Sequence, residues 1–183
     1  MGSWSTQIDV TTQNFIETFG GLHSEQLNWK PNLQTWSIAQ NIEHLILVNR
    51  SYFPIIELIR KGEYKTPFIS KFSFVVSFFE RTVLKAVHED RKKKMKTFPI
   101  WEPTKNEILI DVLEHFSVHQ SELKKQIEDA KELVEKGTII SSPANKNIVY
   151  RLETAFEIIV THEKRHFEQA KLVLELKNKK NSG

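Results

Sequence analysis

The chain has 183 residues, enough for one domain with a sizeable core, and its 39% hydrophobic and 27% charged content fits an ordinary globular protein. It contains no cysteine, which excludes disulfides, cysteine-ligated zinc and a cysteine nucleophile. The net charge of +3 comes from two local runs, Arg91 to Lys96 and Lys177 to Lys180, outside which acidic residues outnumber basic ones. A nucleic-acid-binding protein spreads positive charge along a face, so these runs read as solvated segments and no nucleic-acid partner is expected.

The first residues, MGSWSTQIDV, carry neither a basic nor an apolar stretch, so no secretory signal is expected and the cytoplasm is the simplest location. A first helix is predicted over about Ile8 to Leu22. Ser37 followed by Gln40 forms a capping box, in which each side chain satisfies an orphan backbone N–H. The helix it opens can stop at Gly62, and Pro54 should kink it by removing one hydrogen bond. In KFSFVVSFFERTVLKAV, the residues Phe72, Val75, Val76, Phe79, Val83 and Val87 recur at helical spacing. The phenylalanines Phe72, Phe74, Phe78 and Phe79 are expected to fill the core. Its richest apolar run, FSFVVSFF, falls far short of the ~20 residues of a membrane span, so no membrane partner is expected.

Thr104 followed by Glu107 makes a second capping box, predicting a long helix through Lys136 with Gly137 just past its end. A third long helix is predicted from about Ile148 to Lys177. Strand signals are nearly absent: Thr138-Ile139-Ile140 is too short to count, and no Asn-Gly or Asp-Gly hairpin turn occurs. These elements assemble into one helical-bundle domain over residues 1–183. The long link from Gly62 to Pro103 lets the flanking helices be other than antiparallel neighbours.

The last helix carries THEKRH, which spells H-E-x-x-H. Ile148, Leu152, Ala155, Phe156, Ile159, Ala170, Val173 and Leu174 define one apolar stripe, and His162 and His166 fall inside it, at i and i+4. Burying two imidazoles costs a few kcal/mol unless each finds a partner, and a divalent metal ion suits both at this spacing. A zinc protease needs a third ligand well downstream. The short remainder after His166 has no histidine, and its acids Glu168 and Glu175 lie off the ligand face. The protease reading therefore fails, and a third ligand must come from upstream.

Two suppliers remain. His115 and His119 form a second i, i+4 pair on an apolar face, and counting at 1.5 Å per residue places His119 within about 3 Å of the level of His162 in an antiparallel hairpin. His44 sits at the edge of its helix's apolar face, beside Asn41. Counting alone puts His119 slightly ahead.

Trp29-Lys30-Pro31, the run Trp36 to Leu45 and the late His162 to Gln169 together resemble the DinB/YfiT-like superfamily, over most of the chain and including the FPIWEP stretch. The resemblance implies a four-helix bundle of all-α class, with a long crossover, here carrying an extra helix, between its second and third bundle helices. It also implies a homodimer and a divalent metal, commonly zinc or nickel, held by His44, His162 and His166. His119 then becomes a pocket neighbour. Relatives of this kind include metal-dependent hydrolases and S-transferases that use bacillithiol or mycothiol. Three imidazoles leave a coordination position open, which marks a catalytic site. Glu163 is expected either as a base or as a carboxylate holding a ligand imidazole. The expected function is a metal-dependent enzyme acting on a small molecule, thiol transfer slightly ahead of hydrolysis. Because the chain lacks cysteine, any thiol must be a small co-substrate. The competing expectation is a non-catalytic metal- or ligand-binding bundle of the stress-response kind.

Overall fold

The structure, a computed structural model, describes residues 2–88, 96–108 and 111–181. Most of the basic run from Arg91 lies outside these residues. The chain is mostly helical, with one two-stranded antiparallel sheet.

Helix α1 (Gly2–Phe19) begins earlier than expected and buries Trp4, Ile8, Phe15 and Phe19 along one side. A short helix, α2 (Ser24–Asn28), leads to α3 (Ile38–Arg50). The capping box forms as read: Gln40 N donates to Ser37 Oγ at 3.1 Å and Ser37 N to Gln40 Oε1 at 3.2 Å. Pro54 does more than kink this helix. The chain turns at Ser51 and Tyr52 and restarts as α4 (Phe53–Arg60), with the proline in the first turn, where its missing N–H costs nothing. Gly62 (φ 71°) and Gly137 (φ 64°) adopt the left-handed conformation that closes the helices before them, α4 and the one ending at Glu135.

Helix α5 (Ser73–Val87) turns Val76 inward, with Val83, Leu84 and Val87 against the core. The expectation that its phenylalanines fill the core is overturned for Phe72, Phe74 and Phe78, which are exposed. Phe74 and Phe78 lie on the face opposite the valine stripe, and among the described residues no other element covers it.

The second capping box is also overturned. Thr104 donates from its backbone N and its Oγ1 to the Glu43 carboxylate, at 2.6 and 2.9 Å, so its hydroxyl is spent on α3. The next helix, α6 (Val112–Asp129), starts at the Asp111 cap, whose Oδ1 accepts from Glu114 N at 3.0 Å. A break at Ala130 separates it from α7 (Lys131–Glu135).

The near-absence of strands is corrected as well. β1 (Ile139–Ser142) pairs with β2 (Asn145–Arg151), with a bulge between Ser141 and Ser142. Val149, Tyr150 and Arg151 pair with Ser141, Ile140 and Ile139, burying Ile140, Val149 and Tyr150. Ile148 thus belongs to a strand, and α8 (Leu152–Asn181) begins after it.

Helix α8 packs on α1, α3 and α5, whereas α6 packs on α1 and α3. The apolar core forms two clusters. One, near the hairpin, holds Ile8, Tyr52, Leu123 and Phe156; the other holds Phe15, Ile42, Phe116 and Val173. Each of α3, α6 and α8 feeds both clusters. Buried polar residues interrupt the apolar run on each: Asn41, His44 and Asn49 on α3, His119 and Gln120 on α6, Glu163 and His166 on α8.

Candidate metal centre

This polar layer divides into two sets. The first is His44 from α3 with His162 and His166 from α8, whose ligand atoms all lie within 4.8 Å of one another. His44 and His166 are buried, and His162 is half-buried. His44 Nδ1 donates to the backbone carbonyl of Trp101 at 2.7 Å. His166 Nδ1 donates to Asn41 Oδ1 at 2.7 Å, and the Asn41 amide is itself oriented by donating to Ser37 O at 2.8 Å. Both imidazoles therefore carry their proton on Nδ1 and present a lone pair at Nε2.

Those lone pairs converge on His162. Its Nε2 lies 3.0 Å from His166 Nε2 and 3.4 Å from His44 Nε2, and its buried Nδ1 has no partner among the described residues. One proton on His162 Nε2 can satisfy one of the two facing lone pairs, not both. A single divalent ion satisfies all three nitrogens. Tetrahedral ligands at 2.0–2.1 Å from zinc are about 3.3 to 3.4 Å apart, close to the spacings found here. The donor set, three neutral imidazoles, suits zinc or nickel in kind.

Electrostatics agree. Burial lowers the His44 pKa to about 4, against the small raising effect of its bond to Trp101. His162 and His166 are held well below the usual imidazole range, first by burial; His44 and Arg165 add to this for His162, and His162, His44 and Arg165 for His166. All three are thus neutral ligands at neutral pH. Trp36 walls the cluster, its ring 4.8 Å from that of His44 and stacked at 5.9 Å on that of His166.

The second set surrounds Glu163, one residue after His162. An α-helix turns about 100° per residue, so its carboxylate faces the interior between α3 and α6. Oε1 accepts from Asn49 Nδ2 at 2.8 Å and Oε2 from Gln120 Nε2 at 3.0 Å. No hydrogen bond joins Glu163 to an imidazole among the described residues. Burial raises its pKa to about 7, opposed by these two amide bonds.

His119 is fully buried and stacks on Phe53 at 5.8 Å, and neither ring nitrogen has a hydrogen-bond partner among the described residues. Burial, then the Arg50 charge, lowers its pKa to about 4. It lies outside the three-histidine group, and His115 is exposed instead of sharing the apolar face. Counting along the hairpin matched the levels of α6 and α8, as the Gln120–Glu163 bond shows, but it did not fix which side chains meet.

Sequence reasoning missed the groups that orient the ligands. Trp101 acts through its backbone carbonyl, which leaves no signature in the sequence, while its indole donates to Ser51 Oγ at 3.1 Å. Asn41 was detectable: it is an amide on the buried side of α3, close to His44.

The family model of the DinB superfamily matches residues 7–170, a span that includes all three clustered histidines. No curated protein and no solved structure gives a match.

Proposed function

We propose that this chain, which belongs to the DinB superfamily, is a divalent-metal-dependent enzyme acting on a small molecule through His44, His162 and His166. The observation that carries this reading is the convergence of three Nε2 atoms, two with tautomers locked by Nδ1 bonds to Trp101 and Asn41. The ion is zinc or nickel; when bound, it supplies an open coordination position that activates water or a thiolate. The residues do the rest. Trp101 and Asn41 fix the two rings, and Trp36 excludes water from their outer side. Of the two roles expected for Glu163, the geometry favours neither a base at the metal nor a direct hold on an imidazole. Its bonds to Asn49 and Gln120 support a positioning role that sets α3 and α6 against α8. His119, beside Gln120, is read as a neutral neighbour at the base of the site.

The reaction is thiol transfer or hydrolysis, with a low-molecular-weight thiol as co-substrate in the first case because the chain has no cysteine. The same reading takes residues 1–183 as one domain and α1, α3, α6 and α8 as a four-helix bundle, with α4 and α5 in its crossover. It also takes the protein as a cytoplasmic homodimer. A second reading, a non-catalytic metal-binding bundle, is favoured by how closed the cluster is: His44 is 3% and His166 6% exposed. A cavity of about 450 Å³ lies elsewhere, against Leu27, Ile108 and Val112.

Turnover separates the two. The metal-loaded protein should consume electrophiles or hydrolysable esters in assays with and without added small thiols, and His166→Ala should abolish that turnover. Tight metal binding without turnover of any probe would favour the second reading.

A further inference from the structure

Phe68, Phe72, Phe74 and Phe78 are 70%, 44%, 72% and 57% exposed. They are continuous: Phe68 and Phe72 rings lie 5.9 Å apart, Phe72 and Phe74 6.0 Å, and Phe74 and Phe78 are one helical turn apart. At about 200 Å² per aromatic side chain these fractions leave on the order of 500 Å² of aromatic surface open to water. A patch of this size marks an interaction surface.

The helix presenting it is fixed in place. Glu80, on the inner side of α5, accepts from Arg151 N at 3.1 Å, from Arg151 Nη1 at 2.8 Å and from Thr154 Oγ1 at 3.1 Å. Arg165 Nη1 donates to Ala86 O at 2.7 Å, tying the last turn of α5 to α8. The rings are therefore held out on a clamped helix, and their exposure does not come from fraying.

Charge along the same face identifies the occupant. Exposed positions Phe74, Phe78, Arg81, Thr82 and Lys85 recur at helical spacing, so one stripe is aromatic at its start and cationic at its end. The aromatic half already attracts a cation: Lys71 Nζ lies 4.9 Å over the Phe68 ring. We infer that this stripe is a two-fold interface between copies of the chain, with two α5 helices antiparallel and crossing near Phe78. A two-fold contact buries the same patch on both copies. In this register Arg81 of one copy lies near the level of Phe74 of the other and Lys85 near that of Phe72, so cations meet rings. The rings, with the alkyl stems of Lys71, Arg81 and Lys85, approach the ~800 Å² per partner of a standard interface. A lipid surface fits less well. An interfacial helix carries cations and aromatics on opposite faces, whereas here they share one.

The inference rests on the reading that two copies associate, and it names the surface. The experiment is light scattering on the eluting full chain at tens of micromolar, for the native sequence and for Phe74→Lys/Phe78→Lys. The native chain should be a dimer and the double variant a monomer, at least ~100-fold weaker in association, because each introduced ammonium would face a like charge across the interface. Circular dichroism and melting temperature of the variant should be nearly unchanged, since both rings are largely exposed in the monomer. As a second probe, Phe78→Cys in this cysteine-free chain should give a covalent dimer on mild oxidation. A native monomer at every concentration would overturn both the surface and the association. A double variant that remains dimeric, or a Phe78→Cys dimer that never crosslinks, would overturn the surface alone. A monomer that binds anionic vesicles through these rings would assign the stripe to lipid.

Discussion

His162 and Glu163 are consecutive on α8 and equally part of the polar layer, yet their surroundings are opposite in kind. Around Glu163, donors outnumber charges: two amides point their N–H groups at a carboxylate that is satisfied within the protein. Around His162, acceptors outnumber protons: two lone pairs face a third imidazole, and no arrangement of neutral rings satisfies them all. The Glu163 carboxylate is satisfied as folded, although Asn49 Oδ1 and Gln120 Oε1 have no partner among the described residues. The histidine set is complete only with a cation. A single turn of helix thus supplies a structural clamp and a candidate metal site, and the 100° between neighbours decides which residue serves which.

The largest test of this contrast is removal of a ligand. His44→Ala or His166→Ala should weaken metal affinity by more than ~100-fold, measured by competition with a chromophoric chelator, because two imidazoles alone hold an ion poorly. Next in size is Glu163→Leu, which strands the Asn49 and Gln120 amides in the core. It should cost about 2 to 4 kcal/mol by denaturant unfolding. If the clamp and the metal site are separate, Glu163→Gln should still bind metal. A Glu163→Gln protein that folds but binds no metal would join the two sets.

Asn41→Leu should lower metal affinity by ~10 to 100-fold with a smaller effect on stability, by releasing the His166 ring from its tautomer. An unchanged affinity would show that Asn41 does not orient the ligand.

The subtlest effect to read is a pH slope. His119 is neutral in the folded chain with a pKa of about 4, below the ~6.5 of an unfolded imidazole. The unfolded state binds its proton first on acidification, so this residue makes stability fall by up to about 1.4 kcal/mol per pH unit as pH drops from ~6.5 to 4. Glu163 acts in the opposite sense. Its raised pKa makes the folded state bind the extra proton, so its contribution is lost as pH rises from ~4.5 toward 7. Metal-free His119→Met should therefore show a shallower loss of stability in acid than the native chain. Parallel pH profiles would contradict the buried, neutral state of His119.

The sequence revealed periodicity and caps more reliably than partners. Ser37 with Gln40, the two glycine stops and the apolar stripe of α8 were legible because each is a local pattern with a local cause. Thr104 offered an equally good pattern and was misread, because Glu43, distant in sequence, claims its hydroxyl. Asp111 and Glu114 bore the same kind of signal and were the true start. The hairpin was hidden because its turn, Pro143-Ala144, lacks the usual glycine or asparagine, although the β-branched runs on either side were visible. At the site, counting placed His162 and His166 on one face. It put His119 slightly ahead of His44, whereas the structure clusters His44 with the pair. That choice depends on which faces α3 and α6 turn toward α8, a matter of packing that periodicity does not encode.

The most direct test of the central claim is metal content by mass spectrometry, after reconstitution with zinc or nickel and removal of excess ion. It should be measured on the native chain, on His44→Ala, His162→Ala and His166→Ala, and on His119→Ala. A single ion per chain in the native protein and in His119→Ala, lost in the other three, is the predicted result. An ion retained in His166→Ala, or none in the native chain, would contradict the three-histidine site.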